Sequence, residues 1–161
     1  MWSQGETNPM NKTLTLMTMA LAATMATATE PGGGTSSPLR ELMSEAKAFE
    51  MQAREASQML KNKRFDVAAL QQALEKKGET LGKLQSLAAS YEAGAANLTP
   101  AQQKDWEAVK TKIKLLEIFH GTKNELVAQD ANKNRGLLRA HAQGLALRAE
   151  ALQKTLRRMN P

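Results

Sequence analysis

With 161 residues, a net charge of +6 and a pI of about 9.7, the chain has room for one domain and an extension. It contains no cysteine and few aromatic residues (two Trp, one Tyr, three Phe), which excludes disulfides, thiolate catalysis and Cys-ligated metals and leaves few platforms for stacking bases. Its basic residues are spread along the chain rather than gathered, so nucleic acid is not an expected partner.

Residues 1–37 differ in kind from the rest. Behind Lys12 runs an uncharged stretch from Leu14 to Ala26, and Ala26-Thr27-Ala28 has the small residues of a signal-peptide cleavage site. The stretch is too short for a transmembrane helix, which needs ~20 apolar residues. Thr15, Thr18 and Thr24 interrupt it, and Met10, Met17, Met19 and Met25 are alternative translation starts. Two readings of 1–37 therefore stay open: a disordered N-terminal extension, or one carrying a signal-like segment over 10–28. "PGGGTSSP", Pro31 to Pro38, has linker composition.

From Leu39 onward Ala, Leu, Lys, Glu, Gln and Arg dominate, with no β-branched alternation, and the expected fold class is all-α over 38–160. Ser37 as N-cap and Pro38 at the first position open a helix. Leu39, Leu42, Ala46, Phe49, Ala53, Ala56 and Leu60 form its heptad stripe. In "NKRFDVAAL" Asp66 can cap a second helix, with Phe65 and Leu70 placed for a hydrophobic staple. That helix carries Val67, Leu70, Leu74, Leu81, Leu84 and Tyr91 on one face, is interrupted there by Lys77, and ends at Gly94. Gly78 and Gly82, one turn apart, read as tolerated surface glycines, with close helix approach as the alternative. Similar lengths and a short join predict an antiparallel hairpin.

"LTPAQ" opens the next helix with a capping box: Thr99 as N-cap, Pro100 at the first position, Gln102 at the third. Trp106, Val109, Ile113 and Leu116 follow at heptad spacing. The stripe then turns polar at His120 and Lys123, recovers at Val127 and meets Asn134. It strengthens again through Leu138, Ala142, Leu145, Ala149, Leu152, Leu156 and Met159. The phase passes through Gly121 and "NKNRG" without a slip, so one long helix from about Pro100 to about Met159 is expected. An interhelix turn at Asn132–Gly136 is the competing reading. The expected architecture is an antiparallel hairpin packed on a long C-terminal helix, a coiled-coil-like bundle of three or four helices.

"EIFH", Glu117 to His120, has the Glu-x-x-His spacing of di-iron bundles, but Leu138 stands where His141 would need a glutamate for the second copy. With two histidines and no glycine-rich phosphate loop, no enzyme activity, metal or cofactor is expected. Arg148, Lys154, Arg157 and Arg158 suit the negative end of the last helix.

Taken together, these stretches resemble the FlgN-type flagellar export chaperones. One correspondence runs from Leu39 to Leu84 through "LKNKRFDVAALQQALEKKGETLGKL", with Asp66 in the polar break, then Lys77, Leu81 and Leu84. The other is an Asn-Gly-x-Leu-Leu-like motif in the final helix, matched by Asn134, Leu137 and Leu138. Arg135 stands where the glycine is common, Gly136 comes one place later, and Ala131 replaces an earlier Asn. The resemblance implies a cytoplasmic chaperone for bacterial flagellum assembly and type III protein export. It would hold hook-associated proteins of the hook–filament junction as monomers and deliver them to the export apparatus, without stable membrane insertion. The expected partner-binding residues are Asn134, Leu137, Leu138, Leu145, Leu152 and Leu156, because these leucines exceed what packing on one hairpin needs. Asn134 would then set register on the seam. A competing resemblance sets "LTPAQ" beside the LTxxQ motif of periplasmic stress chaperones, which usually carry it twice. A structural coiled-coil adaptor is the third reading.

Overall fold

The computed structural model describes residues 37–95 and 97–159. They form four helices, α1 (Pro38–Met59), α2 (Val67–Gly94), α3 (Pro100–Asp130) and α4 (Arg135–Met159), and among the described residues there is no strand. The fold is all-α. The signal-like segment lies outside the described residues.

The helix starts follow from local chemistry. At α1 the Ser37 carbonyl accepts from the Arg40 and Glu41 amides at 2.7 and 3.1 Å, but the Ser37 side chain makes no capping bond. At α2 the Asp66 carboxylate accepts from the Ala68 and Ala69 amides at 2.8 and 3.2 Å, satisfying two donors that the first turn leaves open. Phe65 packs against the cluster that holds Leu70, as the staple requires. At α3 the Gln102 amide donates to Thr99 Oγ1 and the Thr99 amide to Gln102 Oε1, completing the capping box.

The expected single helix from Pro100 to Met159 does not form. Gly121 is accommodated inside α3, and the break comes at Ala131–Asn134. Side chains tie this turn. Asp130 Oδ1 accepts from the Asn132 and Lys133 amides, both at 3.0 Å, and Asn134 Nδ2 donates to the Leu126 carbonyl at 2.9 Å. Arg135 reaches across the bundle and donates to the carbonyls of Leu60 and Lys61, both at 3.2 Å, where α1 leaves its last acceptors open. An unbroken heptad phase is compatible with this reversal, because α3 and α4 present their stripes to one core from either side of the turn.

The helices form an up-down four-helix bundle in which each packs on its two neighbours and the diagonal pairs do not meet. α1 packs most extensively on α4, and both helices bury small side chains, Ala46, Ala53 and Ala56 on α1 and Ala142, Ala146 and Ala149 on α4. Small side chains let backbones approach. α2 and α3 touch least. The apolar core is split in two. One cluster holds Phe49, Leu84, Trp106, Leu116, Leu145 and Leu156 among others; the second gathers Leu60, Leu70, Leu74, Val127 and Leu138.

Candidate functional site

Six residues were expected to meet a partner, and the bundle divides them. Leu138, Leu145, Leu152 and Leu156 are fully buried in the core, which corrects the expectation that they stand surplus to packing. The physical reason is the reversal at Asn134. α4 packs on α1 and on α3 together, and a helix with two neighbours needs a wide apolar face. Asn134, half-buried, closes the α3–α4 turn through its bond to Leu126 instead of lying on a helical seam. Leu137 alone of the six presents apolar surface, being 56% exposed.

Leu137 does not stand by itself. Ala140 and Leu147 follow it on the outward side of α4, with Leu147 64% exposed. Leu147 lines a groove of about 350 Å³ whose other walls are Gln143 and Ala146 on α4 and Arg54, Ser57, Gln58 and Lys61 on α1. Arg54 is held by Glu50 at 2.7 Å and bridges to Glu150 of α4 at 3.6 Å. Met51, one turn from Arg54, adds another exposed apolar side chain. This gives a groove between two helices in which Ala146 and Leu147 are the apolar lining and polar side chains supply the rest, a setting open to an amphipathic helix.

A second feature lies inside. Between the two apolar clusters sits a polar layer built from Lys77 and Thr80 of α2 and His120 and Lys123 of α3. Both lysines have no exposed surface, and neither Nζ has a hydrogen-bond partner. The Lys77 ammonium lies 5.8 Å from the Phe49 ring centroid, within reach of a cation–π attraction. Burial, then the charge and closeness of Lys123, pushes Lys77 down to about 6. Burial pushes Lys123 down to about 8, against the opposing effect of the neighbouring Lys77 amine. Burial and then the two lysines push His120 down to about 4. Burial thus pushes all three groups toward their neutral forms, and the lysines disfavour protonation of His120 beside them.

The layer joins α2 and α3, the neighbouring pair with the least contact. Gly78 marks the place: a Cβ there would stand 3.2 Å from His120 Nε2, so the glycine admits the imidazole against the α2 backbone. At Gly82 nothing lies that close. A cleft of about 430 Å³ opens beside Gly78, lined also by Leu74, Glu75, His120, Asn124 and Val127 among others. In sequence Lys77, His120 and Lys123 were visible as interruptions of two apolar stripes.

Among the described residues no group of three or more His, Asp or Glu is placed to hold a metal, and Glu117 forms an ion pair with Lys114 at 2.8 Å. No described helix is long and apolar enough to cross a membrane. The class of molecule so defined is a four-helix bundle with an outward apolar face on α4 and a lysine-bearing polar layer in its core. Comparison with protein families, curated proteins and solved structures finds no match to this chain.

Proposed function

We propose that this chain is a non-enzymatic export chaperone of the flagellar type. It binds hook-associated proteins of the hook–filament junction in the cytoplasm, keeps them monomeric and brings them to the export apparatus. The observation that carries this reading is the pair of exposed leucines on the outer face of α4, Leu137 and Leu147, the second of which lines the α1–α4 groove. Leu137 belongs to the Asn134–Leu138 stretch that resembles the chaperone motif, and the bundle turns it outward while burying Leu138. A client's amphipathic helical end lays its apolar side on these leucines, with Lys61 on the groove's wall for an acidic residue. The net charge of +6 adds steering toward an acidic client segment. The periplasmic alternative leans on "LTPAQ", whose Thr99 and Gln102 bond to each other in a helix cap, which accounts for the motif locally.

The test is the double variant Leu137→Asp/Leu147→Asp, measured for affinity to the C-terminal helical fragment of a hook-associated protein. Both positions are exposed, so helicity and melting temperature should hold while affinity falls by at least about tenfold, the equivalent of about 1.4 kcal/mol. Unchanged affinity in the folded variant would overturn the assignment of the α4 face.

A further inference from the structure

The polar layer divides the core. On one side the larger apolar cluster includes Leu81, Leu84, Ile113 and Leu116, toward the α2–α3 connection. On the other the smaller cluster includes Leu70, Leu74 and Val127, toward the α1–α2 and α3–α4 turns. Four polar atoms are buried in the layer without a hydrogen-bond partner: Lys77 Nζ, Lys123 Nζ, His120 Nδ1 and Gln52 Oε1. The closed bundle gives up their hydration and packing does not return it, so this is where admitting water costs least.

The α2–α3 seam is also fastened at one end only. Near the connection Tyr91 meets Trp106, ring centroids 4.5 Å apart, and Lys110 Nζ pairs with Glu92 at 2.6 Å. Among the described residues no other ion pair joins α2 to α3. At the far end the cleft of about 430 Å³ separates Gln71 and Leu74 of α2 from Val127 and Ala128 of α3. The remaining helices are tied at that same end. Asn134 holds the α3–α4 turn through Leu126, and Arg135 joins α4 to the Leu60 and Lys61 carbonyls of α1.

We propose that the bundle opens along α2–α3 from this end as one local unit, residues 71–77 parting from 123–127 and wetting the polar layer while the larger cluster stays closed. The opening bares Leu70, Leu74 and Val127 and hydrates both ammonium groups. It requires no client and is independent of the chaperone reading. Protons favour it. From α1 the lysines face Phe49 and Gln52, and from α3 His120 joins Lys123. Glu75 stands exposed on the cleft's rim, and no group of α4 shifts either amine. Burial holds both lysines below their ordinary 10.5 in the closed form, and water restores that value on opening, so the open form binds more protons. Opening therefore becomes easier as pH falls, between 10.5 and about 6 through Lys77 and between 10.5 and about 8 through Lys123.

Hydrogen exchange read by mass spectrometry on the full chain tests this, expressed as protection factors so that the pH dependence of intrinsic exchange is divided out. At pH 7 residues 71–77 and 123–127 should share one level of protection, at least about tenfold below residues 81–88 and 109–116 of the same helices. From pH 9 to pH 6.5 that shared level should itself fall by about tenfold or more. In Lys77→Met/Lys123→Met the layer is apolar, the two clusters become continuous, and both the difference between segments and its pH dependence should vanish. The measurement on the unmodified chain does not depend on how that variant folds. Equal protection along both helices would overturn the proposal. So would protection that only declines gradually toward the helix ends, as fraying gives, or a shared level that does not change with pH.

Discussion

Lys77 is the residue whose environment departs furthest from that of its type. Lysine stems commonly lie along apolar surface while the ammonium reaches water, yet this one ends beside Phe49 and Lys123 with no exposed surface. Its ordinary value of 10.5 applies to the unfolded chain, while the folded chain holds it at about 6. As pH falls through that interval the unfolded chain takes up the proton first. Stability therefore declines with falling pH, by at most about 1.4 kcal/mol per pH unit for this one group, and levels off below about 6. Lys123 adds to the decline between 10.5 and about 8, and His120 between 6.5 and about 4. Melting of the unmodified chain should accordingly rise from pH 6 to pH 9. In Lys77→Met the curve should be flatter and lie higher at pH 7, since a methionine has no proton to give up on being buried there. Parallel melting curves for the two proteins would reject this account of the layer.

At the scale of elements, the α3–α4 turn shows how a few polar side chains redirect a helix that periodicity alone would continue. Asp130 satisfies two amides, Asn134 takes up the Leu126 carbonyl, and Arg135 attends the end of α1. Asn132, Asn134 and Gly136, poor helix formers within five positions, were the local signal of this reversal. Asn134→Ala removes one side-chain hydrogen bond and should cost about 1 kcal/mol, seen as a lower urea midpoint with an unchanged slope. Its binding of a helical client should be unaffected once folded, because Asn134 acts in the turn and not on the α4 face. A variant of undiminished stability would show that the turn is held without it.

For the whole molecule the reversal decides which surfaces exist. A continuous helix would leave the leucines of its second half open on one flank; folding back against α1 and α3 buries them and leaves Leu137 and Leu147 outside. The ion pair between Arg158 and Asp105, 2.7 Å, joins the far end of α4 to the start of α3. Spin labels at Gln103 and Arg157 should therefore lie near one another. A separation approaching 1.5 Å per intervening residue, the rise of an unbroken helix, would contradict the bundle. In the same way Leu145→Asp with Leu152→Asp should abolish folding, since truncation of a buried leucine even to alanine costs about 2–5 kcal/mol.

The chain's local chemistry determined the helices and most of their ends. Pro38, Asp66 and the Thr99–Gln102 box act within a few residues, and the heptad stripes named the core faces of all four helices, down to the polar interruptions at Lys77, His120 and Lys123. Periodicity reports which side of a helix is apolar but not what covers it, and a stripe keeps its phase whether the chain runs straight or folds back at Asn134. Only the tertiary structure decided that the leucines of α4 lie inside and that Leu137 and Leu147 lie outside. It alone brought Lys77 and Lys123, far apart along the chain, into one buried layer, because such a meeting depends on how α2 faces α3 across the bundle and on no feature of either helix taken alone.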